Sequence, residues 1–392
     1  MAGPLTGIRV LENANFISGP YAGMLLADQG AEVVKVEMPG AGDPFRRWSG
    51  RGEEILPQFA AFNRGKQSVT INLKHEAGRA AYLRLAAEAD VVLENFRPGR
   101  LDALGLGYEE VNRHNPRVVY CSLSGMGTVG PYRDRPTYDA IAQAVSGLWS
   151  QISERADPRP IGPALSDQIT GLTTAYGILG ALVERGTSGI GQRLETSMLA
   201  ASLGFMAHPI AEYTMTGEVS GPTTRPRRSQ TYALTGSDGK PLGIHLSSPP
   251  KFWKSLVRAI GRPELEDDPR FRTKNDRITH YDDLHQILAD AFAAKPRDAW
   301  LAVLGEYDVP VAPIHDVGEA LDDPQVRAIA MTETFGTGDR ALDLVGFPIR
   351  YARTASSATL PPPRVGEHTD TVLAGAGYAP GEIQALRDAG AI

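Results

Sequence analysis

Through the first half of the chain, short apolar runs alternate with longer stretches in which apolar residues return every third or fourth position. The run GIRVLEN (7–13), opened by Gly7, predicts a first strand. Pro20 stands where a helix would begin, and PYAGMLLADQG predicts a helix that stops at Gly30. AEVVKVE (31–37), SVTINL (68–73), VVLENF (91–96) and RVVYCSLSG (117–125) read as further strands, with the Ala- and Leu-rich EAGRAAYLRLAAEA (76–89) as a helix. Alternation of this kind implies a parallel sheet covered by helices, an α/β fold.

Two helices follow. One starts after Pro136 and places Ile141, Ala144, Val145 and Leu148 on one face. The other, DQITGLTTAYGILGALVER (167–185), does the same with Ile169, Leu172, Tyr176, Leu179 and Leu182–Val183. It also carries Gly171, Gly177 and Gly180; a mid-helix glycine costs about 1 kcal/mol relative to alanine, so another element is expected to approach it closely. The Gly-, Pro-, Thr- and Ser-rich segment near 213–228 reads as a domain boundary. Beyond it, QTYALTGSDGKPLGIHL predicts a hairpin turning at Asp238-Gly239. Helical stretches PKFWKSLVRAIG, THYDDLHQILADAFAA and PRDAWLAVLGEY come next, then an extended Pro-rich run near 354–366 and a last helical segment.

At 392 residues the chain exceeds one ordinary core, and two domains are expected. Hydrophobic residues at 42% and charged residues at 22% exclude a disordered tail and a membrane protein, and a net charge of −6 argues against a nucleic-acid or membrane-surface binder. The single cysteine, Cys121, lies in an apolar run and reads as a buried strand residue. It allows no intrachain disulfide, which suits a reducing cytosol. With no secretion signal and no run of membrane-spanning length, the expected location is cytoplasmic.

Glu37, closing the second strand, is half of a dinucleotide-binding fingerprint, but the NANFISGP turn lacks G-x-G-x-x-G, which argues down a nicotinamide dehydrogenase. The eight histidines are scattered, with no H-E-x-x-H and no paired cysteines, so no metal is expected. No G-x-S-x-G supports a serine hydrolase. Asp167, after IGPALS at the start of the glycine-rich helix, is ordinarily an N-cap. The same helix-end N–H groups favour an ionised carboxylate that can attack an activated acyl carbon. In ENFRPG (94–99), Asn95 offers an amide, Phe96 a flat face and Arg97 a charge, at the sheet edge where open α/β folds bind ligands. Lys66 and Lys74 read as solvated cations near a strand, and Arg225, Arg227 and Arg228 as a solvated loop.

Taken together, six blocks in order resemble the class III (CaiB/BaiF-type) CoA-transferase family over nearly the whole length. They are SGPYAGMLLADQGAEVVKVEMPGAGDPFRRW (18–48), FNRGKQSVTINLK (62–74), ADVVLENFRPGRLDALGLGYEEV (89–111), SLSGMGTVGPYRDRPTYDAIAQAVSG (122–147), GPALSDQITGLTTAYGILGALVERGTSGIGQ (162–192) and GEHTDTVL (366–373). The resemblance implies a Rossmann-like large domain with a parallel sheet, a smaller α+β domain and an interlocked homodimer. It places the large CoA-binding domain in 1–212, the small domain in 226–315, and the part returning to the large domain in 330–392.

It further implies an enzyme that moves CoA from an acyl-CoA thioester to a carboxylic acid through aspartyl anhydride and aspartyl-CoA thioester intermediates. No cofactor is permanently bound, and CoA and acyl-CoA are substrates. Asp167 matches the catalytic aspartate; Tyr138 and Asp139 line the site, and Phe16 and Ile17 lie where the first loop meets the thioester. Ile71, Lys74, Asn95 and Phe96 match CoA-binding positions, and Arg97 and Arg100 are candidates for the phosphates, as is the 225–228 cluster. The chain departs from formyl-CoA transferases at Met38, Ala103 and Ile17 and lacks their four-glycine run, which argues against oxalate or formate. The alternative within the fold, a 2-methylacyl-CoA racemase, resembles a pattern with a histidine where this chain has Thr137-Tyr138-Asp139. A catalytically inert CoA-binding protein is disfavoured by the presence of Asp167.

Overall fold

The apolar runs of the first half pair as six parallel strands: β1 (Arg9–Asn13), β2 (Glu32–Glu37), β3 (Lys66–Thr70), β4 (Val91–Glu94), β5 (Val119–Ser124) and β6 (Gln192–Ser197). In the computed structural model, which describes residues 3–49, 55–247, 249–355 and 360–392, their order is β3-β2-β1-β4-β5-β6. Val10 of β1 sits level with Val33 of β2 on one side and Val91 of β4 on the other. The order reverses at β1, so a crevice opens between the carboxyl ends of β1 and β4.

Both faces of this sheet are buried, which is why its strands read as continuous apolar runs rather than alternating ones. On one face Val10, Val33, Leu93, Val119 and Cys121 pack against α1 (Ser18–Asp28) and α6 (Leu165–Ser188). On the other, Leu11, Val36, Val92 and Tyr120 pack against α3 (Glu76–Ala87) and α4 (Tyr108–His114). Each fully buried Val or Leu of these layers contributes about 1.5–3 kcal/mol. Helix α1 is buried at every position but Tyr21 and lies directly against α6. Two more helices, α5 (Asp139–Ser146) and α7 (Met198–Phe205), also contact α6.

The chain divides into two compact units. The first comprises residues 1–149, 161–207 and 330–392, and the second residues 150–160 and 208–329. In the first unit the C-terminal segment covers the outer edge of β3. Ser68 N–H donates to His368 Nδ1 (3.2 Å), His368 N–H to the Ser68 carbonyl (2.9 Å), and Thr70 N–H to Thr369 Oγ1 (3.1 Å). The second unit holds a three-stranded antiparallel sheet, β7 (Thr231–Thr235), β8 (Pro241–His245) and β9 (Val311–Pro313), and the predicted turn with Asp238-Gly239 joins its first two strands. Its core packs Tyr232, Leu242 and Ile244 against Trp253, Leu288, Phe292 and Trp300 from the surrounding helices.

Four expectations fail in whole or in part. The apolar face read on the glycine-rich helix is split: Leu172, Tyr176 and Val183 are 52%, 80% and 75% exposed, Leu179 and Leu182 are half-buried against the core, and Thr170, Gly171, Thr174, Ala175, Ile178 and Ala181 are buried. Close approach of α1 requires small residues there, and a Cβ on Gly171 would lie 2.8 Å from the Tyr21 ring and 2.9 Å from the Ser18 carbonyl. On α5, likewise, Ile141 and Val145 are exposed and Ala142, Gln143 and Ser146 are buried. Lys66 is not solvated; it is fully buried, with its ammonium on Glu12 (2.7 Å), the Pro20 carbonyl (2.7 Å) and Asn63 (2.9 Å). The 225–228 cluster keeps its solvent access but is not a loop: it forms a short helix over Thr224–Ser229, with Arg225 exposed, Arg227 on Asp282 and Arg228 on Glu212 and Glu218.

Candidate functional site

The cleft at the β1/β4 switch is built by strand ends and helix starts. β4 ends at Glu94, two residues short of the sequence reading, because side chains take over the hydrogen bonding. Glu94 Oε2 accepts the Phe96 N–H (2.8 Å). The Asn95 amide closes a two-way pair on Asn15, accepting its N–H (2.9 Å) and donating to its carbonyl (2.8 Å). The amide is thus committed to tying the β1–α1 loop to the β4 end. A Cβ on Gly19 would lie 2.4 Å from Ala14 Cβ, so this loop returns tightly onto the start of α1.

Phe16, in that loop, has φ +64°, a left-handed conformation that costs a non-glycine residue on the order of 1–3 kcal/mol. Its N–H donates to Asp43 Oδ1 (3.2 Å), and its ring meets Tyr138 edge-on at 5.7 Å. Ile17 follows as the residue before α1, half-buried, and its carbonyl accepts the Tyr21 N–H (2.7 Å).

Asp167 is the third residue of α6, not its cap. Its carboxylate faces the start of α1, where the backbone N–H and hydroxyl of Ser18 lie close enough to hold its pKa down. The capping is done from elsewhere. Ala164, preceding α6, has no capping side chain, and Asp139 Oδ1 accepts the Asp167 N–H (3.1 Å). Asp139 is itself held by the Gln143 amide. Burial, and then the Asp139 charge, push the Asp167 carboxyl up to about 7, with the Ser18 donors opposing. Burial also raises Asp139. The result is a basic, oriented carboxylate at a helix N-terminus, facing open space.

That space is a cleft of about 330 Å³ lined by Phe16, Ser18, Asn95, Phe96, Arg97, Arg133, Arg135, Tyr138 and Asp167, among others. It gathers six of the residues singled out in the sequence: Phe16, Asn95, Phe96, Arg97, Tyr138 and Asp167. Asp139 sits one hydrogen bond behind. The side chain of Ile71 lies in the core under α3, 1% exposed, and neither it nor Lys74 lines the cleft. Glu37 is occupied as well. Despite burial, Arg46 (2.7 Å) and Lys35 hold it below the usual carboxylate range, and Ser68 donates to it, so it has no oxygen to offer a ribose. Sequence reading missed Ser18, Arg133 and Arg135. The only signal was two arginines bracketing Asp134 just before PTYD, with Arg135 lying over the Tyr132 ring at 3.7 Å.

The sequence matches the family described as CoA-transferase family III over residues 5–369. The acetyl-CoA:oxalate CoA-transferase of Acetobacter aceti is 37% identical over 329 residues, covering 83% of this chain and 84% of that protein. The human succinyl-CoA:glutarate CoA-transferase is 31% identical over 385 residues, covering 94% and 85%. Among solved structures, a CAIB/BAIF family protein from Brucella suis superposes with a TM-score of 0.86 at 33% identity, covering 96% of this chain and all of that one.

Proposed function

The chain belongs to CoA-transferase family III, and from that premise we propose that Asp167 is the nucleophile of a double displacement that moves CoA between carboxylic acids. One observation carries this reading: a carboxylate raised to about 7, faced by Ser18 and directed into a cleft rimmed by Arg97, Arg133 and Arg135. A more basic carboxylate is the better nucleophile, and one near 7 is still half ionised at neutral pH.

The steps balance without a cofactor. An Asp167 oxygen attacks the thioester carbon of the donor, the C–S bond breaks, and CoA leaves as the thiolate. The thiolate then attacks the Asp167 acyl carbon of the mixed anhydride, which releases the donor acid and leaves an aspartyl-CoA thioester. The acceptor carboxylate attacks that thioester and expels the thiolate. The thiolate in turn attacks the acceptor carbonyl, giving the new acyl-CoA and the free Asp167 carboxylate. The Phe16–Tyr138 pair excludes water from the anhydrides, and N–H groups at the start of α1 face the oxyanions. Phe96 offers a face to the adenine, and the arginine rim takes the phosphates. No histidine lines the cleft among the described residues, which favours transfer over proton abstraction.

The strand order 3-2-1-4-5-6 supports the Rossmann-like reading of the first unit. The outward stripe of Leu172, Tyr176 and Val183 supports a homodimer that buries it. The acids differ among the relatives, with oxalate in the name of the Acetobacter aceti enzyme and glutarate in that of the human one. No helix among the described residues is long and apolar enough to cross a membrane, and a cytoplasmic location fits the single buried thiol. The test is intact mass after mixing the protein with a panel of acyl-CoAs and then hydroxylamine. A hydroxamate on wild type that is absent from Asp167→Ala is expected. Solvent exchange of the α-proton without any adduct would replace transfer by racemisation.

A further inference from the structure

Beneath the Phe16 loop lies a chain of buried charges that the mechanism above does not use. Asp43 pairs with Lys35 (2.9 Å), Lys35 with Glu12 (3.0 Å), and the other Glu12 oxygen with Lys66 (2.7 Å); all four side chains are completely buried. Two acids and two ammonium groups balance, so the chain carries no net charge. Buried ion pairs of this kind are weak stabilisers, because desolvation offsets most of their attraction. Beyond Lys66 on Asn63 (2.9 Å) and the Phe45 N–H on Asp43 Oδ1 (2.9 Å), their hydrogen bonds converge on one turn. Lys35 donates to the Ala14 carbonyl (2.6 Å), Lys66 to the Pro20 carbonyl (2.7 Å), and Asp43 Oδ1 accepts the Phe16 N–H (3.2 Å). These three bonds bracket residues 14–20, the turn that carries the left-handed Phe16 and presents Ser18 to Asp167. Helix α1 is seated on the same charges: a Cβ on Gly23 would lie 1.9 Å from Glu12 Oε2.

We propose that Asp43 and Lys35, backed by Glu12 and Lys66, are positioning residues that hold the strained Phe16 turn so that the Ser18 donors stay on the Asp167 carboxylate. The inference rests on Asp167 being the nucleophile. Left-handed strain at Phe16 persists only if its surroundings over-determine it, and these bonds, with the Asn95 clamp on Asn15, supply that restraint. Releasing the turn lets Ser18 retreat. The Ser18 donors oppose the upward shift of Asp167, so their loss raises its pKa further. Asp139 from α5 and the arginines of the cleft, the other groups that face Asp167, stay in place.

The test reads Asp167-dependent hydroxamate formation against pH in Asp43→Asn and in the charge-balanced double variant Asp43→Asn/Lys35→Met. We expect single-turnover acylation to fall about tenfold to a hundredfold while KM for the acyl-CoA stays within about threefold. The acid limb should move up by about half a unit to one unit. Ser18→Ala should move it the same way, and combining Ser18→Ala with Asp43→Asn should add no further shift, because both act through one contact. Gly23→Ala, which presses on Glu12 without removing a charge, should give the same upward shift even if the charge variants do not fold. A purely structural role would lower the melting temperature and leave the acid limb and acylation rate unchanged at permissive temperature, and that result, or additive shifts, overturns the proposal. Absence of an Asp167-dependent adduct in wild type would instead overturn the nucleophile assignment.

Discussion

Replacing Gly171 by alanine sets two effects against each other. Alanine gains about 1 kcal/mol over glycine in a helix interior. Here its Cβ would lie 2.8 Å from the Tyr21 ring, 2.9 Å from the Ser18 carbonyl and 3.0 Å from Tyr21 Cβ. Carbon contacts relax to about 3.5–4.0 Å, so α1 and α6 must part by several tenths of an ångström. The ring can swing aside, but the Ser18 carbonyl belongs to the first turn of α1 and moves only with the helix. Overpacking of this kind costs about 1–3 kcal/mol, leaving a net loss of about 0–2 kcal/mol in urea unfolding once the helix gain of about 1 kcal/mol is subtracted. Activity should suffer more than stability. The same displacement carries the Ser18 donors off Asp167, and a transfer rate lowered about tenfold or more at saturating acyl-CoA is expected. Gly186→Ala is the control: it lies on the same helix with nothing within 4 Å of its added carbon, and a gain of about 0.5–1 kcal/mol with an unchanged rate is expected. If Gly171→Ala proves as stabilising as Gly186→Ala and equally active, the close crossing does not set the site.

Because the folded Asp167 carboxyl is raised to about 7, ionising it costs stability above its unfolded value near 3.8. Asp167→Asn should therefore be inactive yet more stable than wild type by about 1–3 kcal/mol at pH 8, with the difference vanishing near pH 4 in urea titrations at each pH. Wild-type kcat/KM should fall about tenfold per pH unit below 7, since only the ionised form attacks; a flat profile down to pH 5 would contradict this. Asn95→Ala removes both bonds to Asn15 and should cost about 1–3 kcal/mol in thermal or urea unfolding. Burial, and then the Glu94 charge, push the Cys121 thiol up, so alkylation by iodoacetamide should be on the order of a hundredfold or more slower in the native protein than in urea.

The strands and the hairpin were legible because each carries its own period or turn chemistry, and Cys121 followed from the apolar run around it. What failed was the direction of helix faces. Periodicity on α6 shows which residues are large and apolar, not which side a neighbouring helix approaches, and close approach of α1 selected the small residues. The cleft was legible in part. Asp167 and ENFRPG stand at element boundaries where ligands bind, whereas Arg133 and Arg135 lie in an irregular loop with no period to place them. The charged chain was invisible for another reason: Glu12 and Lys35 sit inside strand runs, Lys66 and Asp43 beside them, and only the sheet register brings the four together.

The cover over β3 has a consequence for synthesis. An open sheet edge is a template for pairing with another chain, and the residues that close this one, His368 and Thr369, emerge from the ribosome about three hundred positions after Ser68 and Thr70. During that interval the whole of 208–329 can fold within itself, while the earlier sheet waits with one flank unguarded. Cellular yield should thus depend on how fast the last stretch is translated and on chaperones that shield nascent strands, more than on the melting point of the finished protein.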